Sequence, residues 1–355
     1  MFFRYPISDV HIHVFRQEDA FDVIKMADEL SYDQYNILSA TSLGPRLAAD
    51  NLLTAWLKIK EPDRCHGFAG FNYPETGAPE AEDLLKQAQE FHALGFDGIK
   101  MMDGKPGIRK KIGKPLDDPL YDPMFDYLEQ QNWPVLYHVN DPIEFWTWEL
   151  MPEWAKAMGD RVFYGNGEYP SKDTIEAEAI HVVEKHPRLR IIFAHFFFIA
   201  DDLEKAAGYF ERFPNLMFDI TPGWEMFESF ANRYEESRDF FRKYADRIIF
   251  GTDTISDHWR TTVGNLRRVL ETDDRFVSFE ENCHGLNLDE KTLRQIYIEN
   301  YHKFLPAKPA EMKIDEIIAY ADRLSGRIAA EAPGETPAIL AEIKNCRQEL
   351  DQLRD

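Results

Sequence analysis

Asp9-Val10-His11-Ile12-His13-Val14-Phe15-Arg16 opens the first apolar run of the chain and leaves it without a glycine. That omission separates two architectures. A doubly wound sheet that cradles phosphate needs a glycine-rich turn after its first strand. Here the turn is replaced by paired histidines. In a strand, residues two apart point to one face, so His11 and His13 share a face. Two imidazoles side by side suit a cation such as zinc. An isolated pair of this kind is equally well read as two buried, hydrogen-bonded histidines.

Working outward, short apolar runs recur at Val10–Phe15, Tyr35–Ala40, Gly67–Phe71, Gly98–Met102, Pro134–Val139, Arg190–Phe196, Leu216–Ile220 and Arg247–Gly251. Between them lie stretches with helical periodicity, among them Glu80–Leu94, Tyr121–Gln131 and Lys172–His186. Ser171 is placed to cap the last of these, and Pro187 follows its end. Alternation of strand and helix predicts a parallel sheet, and eight such units predict closure into an α/β barrel, the (β/α)8 or TIM barrel. The barrel is expected over residues 1–306. Residues 307–355 read as a helical hairpin split at Ala332-Pro333-Gly334. Ile314, Ile317, Ile318, Ala321, Leu324 and Ile328 mark one apolar face. Ile339, Ile343, Cys346, Leu350 and Leu353 mark the other. The hairpin packs on the barrel or on a second subunit, so a homodimer is one expectation.

Three further strands close on a polar side chain: His138 after Pro-Val-Leu-Tyr, His195 after Ile-Ile-Phe-Ala, and Asp253 after Ile-Ile-Phe-Gly-Thr. Each would sit at the carboxyl end of a buried strand, where barrel enzymes carry their chemistry. A shared metal would satisfy several such groups at once.

The chain carries 41 basic and 63 acidic residues, a formal charge of −22. Nucleic-acid binding needs a basic surface and is not expected. No apolar run approaches the ~20 residues of a membrane helix. The N-terminus runs straight into the His11–His13 motif, which leaves no room for a cleavable signal. Cys65, Cys283 and Cys346 are scattered and form no CxxC, which fits a reducing, cytoplasmic setting.

From about Asp9 to Leu305 the sequence resembles the amidohydrolase superfamily. The resemblance rests on Asp-Val-His-Ile-His, Gly-Ile-Lys, Tyr-His-Val, His-Pro-Arg-Leu-Arg-Ile-Ile-Phe-Ala-His, Ile-Ile-Phe-Gly-Thr-Asp and Ile-Tyr-Ile-Glu-Asn-Tyr-His-Lys-Phe-Leu. It is similar to the TIM-barrel metal-dependent hydrolases, the branch of aminocarboxymuconate semialdehyde decarboxylase and related lactonases. The resemblance implies that His11, His13, His138 and Asp253 ligate one divalent ion, zinc in the first instance or manganese. His195 is then a further ligand or the group that polarises the substrate. Lys100, in Gly98-Ile-Lys-Met-Met, matches the strand-four lysine that binuclear members carbamylate. An unmodified amine there should keep its distance from a dication.

Around this centre, Asn140–Pro170 is far longer than ordinary loops. Its aromatic residues read as a wall over the substrate or as a satellite core or interface. Lys105, Arg109, Lys110, Lys111 and Lys114 could recruit an anion, although a solvated loop explains most of them as well. Arg16 is the better single candidate to grip a carboxylate, because a guanidinium binds one bidentately. His258 and Trp224 are expected to line the pocket, with Trp259, Glu168 and Glu225 as weaker candidates. The other histidines read as structural. The expected activity is hydrolysis of an amide, ester or lactone in a small acidic substrate, with Asp253 moving the proton and His195 steadying the developing oxyanion. Decarboxylation of an unsaturated or aromatic acid is the alternative.

Overall fold

The structure is a computed structural model. It describes residues 5–354 except 41–48, 75, 224, 255–257, 279 and 332–335. Eight parallel strands lie side by side in chain order: β1 (Asp9–Ile12), β2 (Tyr35–Leu38), β3 (Cys65–Gly70), β4 (Gly98–Gly104), β5 (Val135–Val139), β6 (Ile191–Phe193), β7 (Leu216–Asp219) and β8 (Ile248–Ile249). The ring closes where Val10 N donates to Phe250 O (3.0 Å) and Asp253 N donates to His11 O (2.8 Å). The result is the expected (β/α)8 barrel.

The crossovers carry α1 (Gln17–Glu29), α2 (Ala49–Lys60), α3 (Ala81–Leu94), α4 (Pro106–Ile112), α5 (Asp122–Gln130), α6 (Glu153–Lys156), α7 (Lys172–Lys185), α8 (Leu203–Arg212), α9 (Met226–Asn232), α10 (Tyr234–Lys243) and α11 (Trp259–Glu271). Ser171 caps α7 as read from the sequence, its side chain accepting from Thr174 N. Helix α3 stops where Gly95 adopts a left-handed conformation that a side chain would resist (φ 100°).

Alternation along the strands builds two apolar layers. Val10, Leu38, Phe68, Leu136, Ile192, Met217 and Ile249 fill the barrel, and Tyr301, Phe304 and Leu305 plug its floor. A π-helical turn at Gln295–Glu299 joins α12 (Glu290–Arg294) to α13 (Asn300–Phe304); Tyr301 and Phe304 lie in α13, and Leu305 caps it. The outward residues, such as Ile37, Ile99, Tyr137 and Phe218, pack beneath the helices.

Two pieces stand outside the repeating unit. A β-hairpin, β9 (Arg275–Ser278) and β10 (Glu281–His284), packs against α9. The helices α14 (Ile314–Glu331) and α15 (Thr336–Gln352) pack on each other and on α2. The expected break at Ala332-Pro333-Gly334 lies outside the described residues. The apolar face of this hairpin is spent on the barrel: Ile317, Ile318, Ala321, Leu324, Ile328, Ile343, Cys346 and Leu350 are buried within one chain. Most of that face, among the described residues, is therefore covered within one chain. Among the described residues, no helix is long and apolar enough to cross a membrane.

Candidate metal centre

His11 and His13 leave β1 side by side at the carboxyl end of the barrel. His11 Nδ1 lies 2.8 Å from Asp219 Oδ2, and His13 Nδ1 lies 2.8 Å from the Leu38 carbonyl. Both partners accept, so both Nδ1 atoms carry the proton and both Nε2 atoms present lone pairs. Those Nε2 atoms stand 3.2 Å apart. Asp253 Oδ1 joins them, 3.2 Å from His13 Nε2 and 3.5 Å from His11 Nε2. The three ligand atoms lie within 4.8 Å of one another. Two lone pairs and a carboxylate oxygen aimed at one point repel unless a cation or a proton lies between them. Burial, then the charge of Lys100, holds His11 well below the usual imidazole range. Burial alone would raise the Asp253 carboxyl. The close contact with His13, then the nearby His11 and His195 rings, outweigh it and hold the group well below the usual range. Neutral imidazoles and an ionised carboxylate are the forms that bind metal.

The other expected residues are placed less uniformly. His195 follows β6, and its Nε2 lies 4.0 Å from Asp253 Oδ2. Its backbone N–H donates to Asp219 Oδ1 (2.8 Å), and its Nδ1 meets Thr221 Oγ1 (3.1 Å). His138 packs edge-on to His195, with ring centroids 4.9 Å apart. It does not fall within the compact group of three. Its Nε2 is buried without a hydrogen bond, with Asp141 Oδ1 at 3.5 Å. An orphaned imidazole nitrogen beside the trio fits a further ligand. Burial pushes His138 and His195 down to about 4, so both are neutral near pH 7.

Lys100 points into the barrel, with Nζ 3.2 Å from His11 Nε2. Burial lowers its pKa to about 8, so the uncharged amine lies within easy reach at neutral pH.

The sequence model of the amidohydrolase family matches residues 8–307. The chain belongs to the amidohydrolase family. Among curated proteins, nothing matches the sequence significantly. Solved structures with the same fold include 5-carboxyvanillate decarboxylase from Sphingomonas paucimobilis, at 14% identity and TM-score 0.52, covering 84% of this chain and 98% of that one. Another is dihydroxybenzoic acid decarboxylase from Polaromonas sp. JS666 with bound manganese and the inhibitor 2-nitroresorcinol, at 14% and 0.52, covering 84% and 96%. A third, 4-oxalomesaconate hydratase from Rhodopseudomonas palustris, matches at 14% and 0.51, covering 91% and 99%. The family is one of metal-dependent enzymes, which agrees with the donor set described above.

In this amidohydrolase a cavity of about 450 Å³ opens beside Asp253, lined by Trp154, Pro222, Gly223, Thr252, Thr262 and Glu280. Asp253 is about one-third exposed (34%) and lines this cavity. The long loop packs partly on itself and partly toward the cavity. Phe145, Met151, Ala155 and Tyr164 form a satellite core, while Trp154 reaches the cavity. The residues expected to grip substrate are not gathered there. Arg16 is exposed and donates to Asp19 in the capping turn of α1. His258 is exposed at the start of α11 and does not line the cavity. Trp224 lies outside the described residues. The basic cluster is mostly engaged with protein carboxylates. Lys105 pairs with Asp141, Arg109 with both oxygens of Glu178, Lys110 with Glu168, and Lys114 with Asp118. In so acidic a protein, an intramolecular carboxylate is always near and captures the cation first.

Asp219 and Asp141 were not read from the sequence as part of the site. Asp219 orients His11 and the backbone of His195. Asp141 connects Tyr164 (2.6 Å) and Lys105 (3.0 Å) to the edge of His138, so it ties the loop to the centre.

Proposed function

We propose that this amidohydrolase uses one divalent cation, zinc or manganese, to hydrolyse an amide, ester or lactone. The observation that carries this reading is the convergence of His11 Nε2, His13 Nε2 and Asp253 Oδ1 with both imidazole tautomers fixed from behind. His11, His13 and Asp253 would hold the ion, and His138 would add a ligand through its orphaned Nε2. Lys100 is a further candidate ligand in its uncharged form. A cation held there supplies Lewis acidity and nucleophilic water at neutral pH. Asp253 accepts the proton of the attacking water and returns it to the leaving group. His195, whose Nδ1 donates to the Thr221 hydroxyl and leaves Nε2 with a lone pair beside Asp253, is a further candidate ligand.

Two of the related folds belong to decarboxylases. Decarboxylation needs a grip on a substrate carboxylate, and no basic side chain among the described residues lines the cavity. That favours hydrolysis, and product analysis separates the two, carbon dioxide against a released acid.

Asp253→Asn tests the reading. The carboxamide keeps the shape and loses the base, so turnover should fall by about 10²–10⁴-fold with the melting temperature little changed. Near-normal rates in that variant on an identified substrate would remove Asp253 from the proton path.

A further inference from the structure

The turn that carries His195 sets three phenyl rings in succession, and they part company. Phe196 packs on Phe230, Phe240 and Phe241, and Phe197 on Phe193, Tyr209 and Phe218. Both belong to the apolar layer beneath the helices, whereas Phe198 joins neither that layer nor the barrel filling. Phe198 goes to the candidate ligands instead. Its ring stacks on His195, with centroids 5.0 Å apart and planes at 26°, and meets His138 at 5.6 Å and 56°. The two imidazoles stand 4.9 Å apart at 70°. The three rings thus close a triangle in which each touches the other two. Phe198 is buried, at 5% exposure. Gly223, in the wall of the cavity, leaves it room, since a Cβ there would come within 3.3 Å of Phe198 Cε1.

We propose that Phe198 is a positioning residue of the metal centre: its ring fixes the planes of His138 and His195, so that both imidazoles are oriented before an ion arrives. The proposal rests on the metal-site reading and adds a residue to it. Hydrogen bonds alone leave the two rings under-determined. His195 has one at Nδ1, to the Thr221 hydroxyl, and a ring held at one atom can still rock about it. His138 Nε2 has none, with Asp141 Oδ1 at 3.5 Å. A flat ring against each removes that freedom, because aromatic pairs prefer particular stacked and edge-on geometries and so supply direction as well as burial. The backbone points the same way. His195, Phe196, Phe197 and Phe198 all take left-handed angles, with φ between 52° and 57°, where glycine would sit without strain. Strain of this kind persists where the surroundings use it. At Phe196 and Phe197 the side chain serves the apolar layer, and at Phe198 it serves the two histidines.

Phe198→Leu tests this, since leucine keeps much of the apolar volume and loses the flat face. Phe197→Leu, in the same turn, is the control for stability, and Phe198→Tyr restores the ring. The first readout is the imidazole nitrogen–proton NMR spectrum of metal-free, isotope-labelled protein. In the parent, His138 and His195 should each give one narrow set of lines. Phe198→Leu should broaden or split both sets, while Phe197→Leu and Phe198→Tyr leave them single. The second readout is zinc affinity by competition with a chelating dye, which should fall by about tenfold or more in Phe198→Leu and stay within about twofold in the other two. Lines in Phe198→Leu as narrow as the parent's, or an unchanged zinc affinity, overturn the proposal. So do broad lines in the parent, and so does an equal loss in Phe197→Leu, which would make the effect one of the whole turn. Should Phe198→Leu fail to fold, Gly223→Ala presses on the ring from the cavity wall, and unmoved histidine lines in that variant count against the proposal in the same way. Protein that takes no zinc sinks the hydrolytic reading, and the histidine lines of the metal-free variants still decide the role of Phe198.

Discussion

At the scale of single residues, the centre depends on which imidazole nitrogen carries a proton, and Asp219 sets that for His11. Its two oxygens divide the work. Oδ2 accepts from His11 Nδ1, while Oδ1 accepts from the His195 and Thr221 backbones and from the Thr221 hydroxyl. Asp219→Asn keeps the volume but must place an NH2 at one of those two positions. The three groups that meet Oδ1 are all donors, two of them backbone N–H groups, so the amide oxygen stays there and its NH2 turns to His11. His11 must then accept at Nδ1 and carry its proton on Nε2, where the lone pair was wanted. Zinc affinity should fall by about 10–100-fold with the fold intact, as read by competition with a chelating dye. Unchanged affinity would mean that the tautomer is fixed elsewhere. In the sequence Asp219 is masked because Ile220 follows it within the apolar run Leu216–Ile220, whereas His138, His195 and Asp253 close theirs. His11, His13 and Asp253 were legible because nothing apolar hides them. Arg16 is engaged by Asp19, one helical turn away, and spacing alone does not rank a helix cap against a substrate.

At the scale of elements, the eight strands were legible within a few residues, since each is a short apolar run and the helices between them keep their period. Two elements were not. The β9–β10 hairpin alternates exposed Arg275 and Val277 with half-buried neighbours, so it offers no apolar run. The segment after Ala194 reads as a continued strand because it is four aromatic side chains long. Instead His195, Phe196, Phe197 and Phe198 all take left-handed backbone angles, with φ between 52° and 57°. Each such residue costs about 1–2 kcal/mol. The turn is held by burial: Phe196 sits among Phe230, Phe240 and Phe241, and Phe198 stacks on His195 at 5.0 Å. Tertiary packing has overruled local preference, and the gain is the orientation of a site histidine. The α14–α15 hairpin shows the reverse, an element whose amphipathic pattern was plain but whose partner was not. It covers α2, where Trp56 Nε1 donates to Glu349 (2.9 Å), and reaches the start of α1, where Gln17 N donates to Glu342 (3.3 Å). Deleting residues 336–355 uncovers Trp56 and removes the buried side chains Ile343, Cys346 and Leu350. At about 1.5–3 kcal/mol for each large side chain, the melting temperature should fall by more than ~10 °C. A truncated chain that melts with the parent would make the hairpin an independent appendage.

At the scale of the whole molecule, the acid excess has been placed where the added pieces meet the barrel. Asp50 on α2 is buried facing Glu342 on α15. Burial first, and Glu342 second, raise its pKa from 3.8 to about 8. Glu281 on β10 is buried facing Glu225 and Glu228. Burial first, and those two carboxylates second, raise it from 4.5 to about 9. In both cases the native state holds a proton that the unfolded chain releases near its ordinary value. Between those limits the folded form binds more protons than the unfolded one, so stability falls as pH rises. The contribution is complete below about pH 4 and is lost through about pH 8 for Asp50 and about pH 9 for Glu281. Asp253 acts in the opposite sense, since its depressed carboxyl adds stability that disappears only in strong acid. The folded protein should therefore lose stability steadily from mildly acidic to alkaline pH. Asp50→Asn and Glu281→Gln keep the shapes and remove the ionisation. Each should raise the melting temperature at pH 8.5 by about 3 °C, the shift that roughly 1 kcal/mol produces in a large domain, and leave it nearly unchanged at pH 5. Parallel melting curves for parent and variants across that range would show that neither joint ionises on unfolding, and the alkaline decline would then have to come from the barrel itself.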